Sequence, residues 1–232
     1  MAVRLKEIDA LRGLAVVLMI GYHAFFDARL FGLLDLDLSV LPVMVFLRMG
    51  QFLFLGLVGV SVYLSSRGFL DQCKRGLWIF FWGMVISLIS WILFEESYVR
   101  FGVLHFIGVS VPLVVLFKKW PNLALFLAPI IFGIGKFFQT VTVNESWGIP
   151  FGLLPRGFSS FDYFPLFPWL AVPLVGLWLA SKIYARREAT ALVFLSRVPL
   201  LCFLGRHALA VYLLHLPVVY FSLWGLFYLL NS

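Results

Sequence analysis

The 232 residues are 62% hydrophobic and only 12% charged, with a mean hydropathy of +1.02. A water-soluble domain of this length needs far more polar surface, so the composition excludes one and points to an integral membrane protein. The net charge of +7 belongs in such a chain to inside loops and their contact with anionic lipid headgroups, and gives no reason to expect nucleic acid.

A span needs roughly 20 apolar residues. On that measure the chain reads as an all-α polytopic membrane helical bundle, a single domain over residues 1–232. About seven transmembrane helices are expected, near 9–31, 41–66, 75–94, 102–118, 121–138, 162–184 and 205–230. Arg4 and Lys6 precede the first apolar run, but Glu7, Asp9 and Arg12 interrupt the approach and no small-residue cleavage site follows, so 9–27 reads as a retained span. The fourth and fifth spans are joined by "KKWPN" and form a tight helical hairpin. Residues 139–161 are the longest non-spanning connection, and "ALVFLSRVPLLCFL" within 185–204 reads as a short interfacial helix. Twenty-six Phe and eight Trp suit lipid-facing surfaces and interfacial belts. Aromatic and glycine-rich span surfaces are compatible with a homodimer.

Lys and Arg orient the bundle. Arg4, Lys6, Arg67, Lys74, Arg75, Lys118, Lys119, Lys182, Arg186, Arg187, Arg197 and Arg206 fall on one side, and Arg29, Arg100, Lys136 and Arg156 on the other. The N-terminus is therefore expected in the cytoplasm and the C-terminus outside. Cys73 and Cys202 then both lie near the cytoplasm, where thiols stay reduced.

Polar groups inside spans are costly, at least about 2.5–3.5 kcal/mol for a charge at the bilayer centre, and they usually mark a site or pathway. The first span, "EIDALRGLAVVLMIGYHAFFD", carries Asp9, Arg12, His23 and Asp27. Arg12 and His23 are eleven residues apart. At about 100° per residue this is three turns plus roughly 20°, so they share a helix face, about 16 Å apart along the axis. His23 and Asp27 form an i, i+4 pair in which the carboxylate could orient the imidazole. Asp9 either caps the helix or pairs with Arg12 at i, i+3. In the second span Arg48 and Gln51 lie one turn apart, either as a site or as an interfacial Arg at a headgroup.

Further along, His105 opens the fourth span, and Asp162 stands at the start of the sixth, where it could cap a helix whose two prolines prevent a regular first turn. In the seventh, "GRHALAVYLLHLPVVYF", Arg206 and His207 precede His215 by about 12 Å of helix, with Pro217 expected to kink the helix beside it. Sorted by depth, Asp9, Arg12, Arg206 and His207, with loop bases Arg67, Lys74 and Arg75, form a basic inner group suited to phosphates. His23, Asp27, Arg48, Gln51, His105 and Asp162 form an outer group suited to proton transfer, with His215 between, so a two-ended cavity is expected. Three functions fit these residues: an acyltransferase, a transporter or channel for a small anion or protonated solute, and a haem or metal protein. The four His lie in no closely spaced metal motif, so no metal site is expected.

The blocks "EIDALRGLAVVLMIGYHAFFD", "GVLHFIGVS", "DYFPLFPWLAVPLVG" and "GRHALAVYLLHLPV" resemble short prokaryotic relatives of heparan-α-glucosaminide N-acetyltransferase, within a wider group of transmembrane acyltransferases. The resemblance runs along most of the chain. It implies a protein of the prokaryotic plasma membrane that moves an acetyl group from cytosolic acetyl-CoA, or another acyl-CoA, to a sugar or glycolipid acceptor on the far side. Under it Arg12, Arg206, His207 and Arg75 would hold the CoA phosphates. His23 would be the general base, oriented by Asp27, and His105, Asp162 or His215 would complete the polar site. One departure stands out. The lysosomal enzyme's catalytic histidine follows this first helix, and its equivalent falls near Leu34 in a loop without His. Either His23 has taken over the chemistry or this branch does something else. The extra spans and lumenal domain of the lysosomal protein are also missing here, which argues against heparan sulfate as acceptor.

The orientation is checked by labelling intact cells with a membrane-impermeant maleimide. Cys73 and Cys202 are expected to stay unlabelled while a Thr140→Cys variant reacts; the opposite pattern reverses the topology.

Overall fold

A computed structural model describes residues 5–34, 41–185 and 191–231. Arg4, Arg186 and Arg187, counted above among the cytosolic charges, lie outside the described residues. The described chain is almost entirely helical, an all-α polytopic membrane bundle. By length and apolar composition five of its helices can cross a bilayer: Lys6–Arg29, Phe69–Leu93, Pro121–Phe138, Leu166–Ile183 and Ala208–Leu230, while Arg48–Leu64 and Val103–Leu116 are apolar but shorter. The chain divides into two compact units, and the division falls inside one helix, between Leu57 and Val58.

The first unit contains α1 (Lys6–Leu30), the start of α2 (Leu41–Leu64), a 3-10 turn (Ala191–Arg197), α8 (Pro199–Arg206) and α9 (Ala208–Asn231). α1 begins earlier than hydropathy suggests because Glu7 and Asp9 sit in its first turn, where carboxylates complement the unpaired amides. It ends in a Schellman motif. Gly32 takes the left-handed conformation (φ +68°), its N–H bonds Arg29 O, and the Leu33 N–H bonds Ala28 O, both at 2.9 Å.

α8, expected as an interfacial helix, packs along α1 with backbone against backbone. A Cβ on Gly205 would lie 1.7 Å from Asp9 O, and one on Gly13 would lie 2.0 Å from Leu201 O. Hydrocarbon offers no hydrophobic drive between helices, so close packing through small residues supplies the attraction. Ala10, Ala15 and Val16 of α1 are fully buried in consequence. The seventh predicted span, 205–230, takes in the last two residues of α8, a break at His207 (φ −106°, ψ 21°), and nearly all of α9. α9 continues through Pro217, which has no N–H to give the ladder. Arg12 meets Gly205, His23 meets His215, and Phe31 meets Tyr220 and Phe227. The order of these contacts shows that α1 and α9 run parallel.

The second unit contains the end of α2, α3 (Phe69–Leu93), α4 (Val103–Leu116), α5 (Pro121–Phe138), α6 (Leu166–Trp169) and α7 (Ala171–Ile183). α3 starts six residues before its expected 75, with Asp71 in its first turn. Lys74 and Arg75 are therefore helical, not loop, residues: helix propensity and end electrostatics extend a helix beyond its apolar run. Pro121 opens α5 after a short connection, but the expected tight hairpin with α4 does not form: α4 lies along α3, and α5 lies along α7. Glycines again set the packing. A Cβ on Gly59 of α2 would meet Pro173 O of α7 at 1.8 Å, and one on Gly76 of α3 would meet Gly108 O of α4 at 2.5 Å. The long connection carries a two-residue parallel ladder, Thr142–Val143 with Leu154–Pro155, and a 3-10 turn, Ser146–Phe151. α6 is interrupted by non-helical Phe167, as its prolines require.

Gly205→Leu is expected to force α8 off α1 and to cost about 1–3 kcal/mol or more. Gly225→Ala, whose Cβ meets nothing within 4 Å, is expected to be neutral or slightly stabilising. Thermal unfolding of both variants in detergent checks this.

Candidate active site

In the first unit the polar residues of α1 line up as the helical arithmetic requires. Arg12 Nη1 donates to Asp9 Oδ1 at 3.0 Å and to Gly205 O at 3.3 Å. Asp9 does not cap α1; the N-cap is Leu5, which offers no side-chain bond. The Asp9–Arg12 pair instead neutralises a guanidinium that also reaches the C-terminal carbonyl of α8, a favourable place for a cation. Arg206 and His207 occupy the exposed join of α8 and α9. Arg206 Nε donates to Cys202 O at 3.3 Å. The His207 ring lies against Phe203, centroids 4.5 Å apart and planes tilted by 41°.

About three turns along the same face of α1, His23 packs against His215 of α9, ring centroids 4.9 Å apart and planes tilted by 53°. His215 is only 4% exposed. Its Nδ1 lies 2.6 Å from Tyr212 O; a carbonyl accepts, so Nδ1 carries the hydrogen and Nε2 keeps its lone pair. That Nε2 is buried without a hydrogen-bond partner. His23 is half-buried, with Tyr22 edge-on at 5.0 Å. Asp27, one turn further, is 7% exposed and its Oδ2 is likewise buried without a partner. The expected His23–Asp27 pairing therefore does not run through that oxygen. Arg48 and Gln51 bond each other at 3.2 Å in an exposed position.

The second unit treats its polar residues differently. His105 is 1% exposed. Its Nδ1 accepts the Gly102 N–H at 3.2 Å, so Nε2 carries the hydrogen and faces Ser87 Oγ at 3.3 Å. Ser87 Oγ in turn donates to Val99 O at 2.5 Å. Both imidazole nitrogens are thus occupied. Asp162 does not cap the sixth span. Its Oδ2 accepts the Val103 N–H at 2.9 Å and caps α4 from 59 residues away. α4 needs this because its own N-cap, Gly102, has no side chain. Arg75 lines a shallow open depression on α3 with Arg67, Asp71, Lys74 and Trp78.

Sequence reasoning selected His23, Asp27 and His215 but not Ser87, whose hydroxyl in an apolar span was the available signal, nor the glycines that set the α1–α8 register. Among the described residues, no group of three or more His, Cys, Asp or Glu is arranged to hold a metal ion.

A helical membrane bundle that brings two imidazoles together inside its spans, one with a free buried nitrogen, has the makings of a proton-transfer enzyme. The chain belongs to the heparan-alpha-glucosaminide N-acetyltransferase catalytic family, whose model matches residues 4–217. No curated protein and no solved structure matches it. Membership supports a transmembrane acetyltransferase, and the family in general implies acetyl-CoA as donor and a sugar as acceptor.

Asp162→Ala is expected to cost about 1 kcal/mol through loss of the α4 cap. Ser87→Ala is expected to cost about 1–3 kcal/mol by stranding the His105 N–H. Melting temperatures of the two variants in one detergent check both values.

Proposed function

We propose that the chain transfers an acetyl group from cytosolic acetyl-CoA to a hydroxyl or amine of a sugar-type acceptor at the outer face of a prokaryotic cell membrane, with the His23–His215 pair as its base. The supporting observation is that pair: two imidazoles in contact, with the buried His215 fixed by the Tyr212 carbonyl and its Nε2 left with a lone pair. His23 is the more accessible of the two and is assigned to the acceptor. It takes the acceptor proton as the nucleophile attacks the thioester carbonyl carbon. The C–S bond breaks, CoA leaves as thiolate, and that thiolate recovers a proton. His215 backs His23 with a second basic nitrogen, and Asp27 supplies a carboxylate that favours the imidazolium formed along the way.

For the donor, the pairing of Arg12 with Asp9 assigns Arg12 chiefly to holding α8. Arg206 and His207, exposed beside it, are assigned to the CoA phosphates. Arg75, with Arg67 and Lys74, offers a second basic surface of the same character. His105 and Asp162, whose polar atoms are engaged at the start of α4, are assigned to positioning that helix. We read the whole chain as one acyltransferase domain, because the family match is continuous through segments of both compact units. The parallel course of α1 and α9 supports termini on opposite sides of the membrane, since parallel first and last spans require an odd number of crossings.

His23→Ala and His215→Ala are each expected to lower kcat by about 10²–10⁴-fold. The double variant should fall little further, since the residues act as a unit. Acetyl-CoA binding should be retained in all three. Single-turnover transfer from labelled acetyl-CoA across a panel of sugars is the measurement; full turnover in both single variants would sink the assignment.

A further inference from the structure

A second polar cluster, unused by the reaction above, lies in the second unit where the chain leads into α4 and α6. Residues 97–102 and 159–164 are zipped together. The Phe161 N–H donates to Ser97 O at 3.0 Å and the Phe164 N–H to Phe101 O at 2.9 Å. The Arg100 N–H donates to Ser160 Oγ at 3.3 Å, and Ser160 Oγ lies 3.1 Å from Tyr98 O. The Ser97 and Ser159 hydroxyls meet at 2.9 Å.

This frame fixes the Arg100 side chain. Its guanidinium carbon stands 5.0 Å from the Tyr98 ring centroid and 5.4 Å from that of Phe158. Phe158 is held against Tyr163 at 4.8 Å. The Tyr163 hydroxyl donates to Ile149 O at 2.6 Å, and burial pushes its phenol pKa above the ordinary value, so it stays a donor. Aromatic faces attract a cation but accept none of its directed N–H bonds at full strength. Arg100 Nε is buried without a hydrogen-bond partner, and among the described residues no carboxylate pairs with this arginine. The contrast with Arg12 on Asp9, Arg48 on Gln51 and Arg206 on Cys202 O is direct. An arginine that is oriented by its surroundings yet lacks an acceptor is a preorganised fork for an oxyanion.

We propose that Arg100, framed by Tyr98 and Phe158, is an anion subsite of the second unit that takes the phosphate or carboxylate of a sugar-type ligand. The inference rests on the acetyltransferase reading for the choice of a sugar-type ligand, and on the charge distribution that puts Arg100 outside. The oxyanion belongs either to a soluble acidic sugar or to the headgroup of a lipid that carries the sugar.

The test uses the full chain in nanodiscs of neutral phosphatidylcholine, with calorimetric binding of glucosamine, glucosamine 6-phosphate, inorganic phosphate and acetyl-CoA. The phosphorylated sugar is expected to bind at least about tenfold tighter than the neutral one. Arg100→Gln is expected to erase that preference and leave acetyl-CoA binding unchanged. Arg100→Lys, which keeps the charge and the ring contacts but not the fork, should retain a part of it and covers the case in which Arg100→Gln fails to fold. A preference that appears only as displacement by added phosphatidylglycerol assigns the anion to a lipid headgroup and upholds the subsite. Equal affinity for charged and neutral sugars with no lipid effect, no binding of any probe but acetyl-CoA, or a preference that survives in both variants overturns it. An Arg100-dependent anion preference in a protein that binds no acetyl-CoA would uphold the subsite and remove the acetyltransferase reading instead.

Discussion

The meeting of α1 and α8 at Gly13 and Gly205 is the contact on which the candidate site depends. Two helix backbones approach until a single added methyl group would overlap a carbonyl oxygen. That approach brings the end of α8 within reach of Arg12, and it fixes the register in which α9 continues. A shift of α9 by one residue along α1 would turn His215 by about 100° and move it about 1.5 Å, away from His23. The proposed chemistry therefore depends on glycines that lie outside the histidine pair itself. Arg12 belongs to the same device: its pairing with Asp9 makes a guanidinium tolerable there, and the bond to Gly205 O answers one of the orphan carbonyls at a helix end.

The two units show opposite uses of a buried histidine. His105 has both nitrogens engaged and sits beneath Gly83, where an added Cβ would lie 3.0 Å from the ring. Such a network rigidifies what it joins. His215 has one nitrogen fixed and the other left open, and the same unit holds an equally open oxygen on Asp27. Unsatisfied buried polar atoms are rare because each costs about 1–3 kcal/mol. Among the described residues five such atoms remain, and two of them, on His215 and Asp27, belong to the first unit, where the proposed reaction would use both.

The class and the existence of the spans were legible because a bilayer tolerates little besides helices and because hydropathy reports burial in lipid directly. His23, Asp27 and His215 were legible for the complementary reason: polar side chains in apolar runs need an explanation. Their adjacency was not legible. It follows from the α1–α8 register, and glycine at a contact looks no different in sequence from glycine facing lipid. Asp162 was read either as a cap of the helix it precedes, because capping is usually local, or as part of the polar site. The cue to its real role lay elsewhere, in α4 opening on Gly102 with no side chain to accept its first amides. Lys74 and Arg75 were read as loop residues because charge was taken to end a span, whereas a helix can project a full turn or more beyond the hydrocarbon. Arg100 was counted only as a loop charge, since the rings around it, Tyr98 and Phe158, are sixty positions apart in the chain.

That distant cap also bears on the order in which the protein can be made. Val103 leaves the ribosome 59 positions before the carboxylate that receives its amide, a delay of roughly 3–12 s at ordinary elongation rates. Until then the first amide of that fourteen-residue helix lacks the acceptor it has in the finished fold, although the neighbouring Gly102 N–H has His105 Nδ1 within its own turn. The start of α4 is therefore complete only once the stretch ahead of α6 has been synthesised.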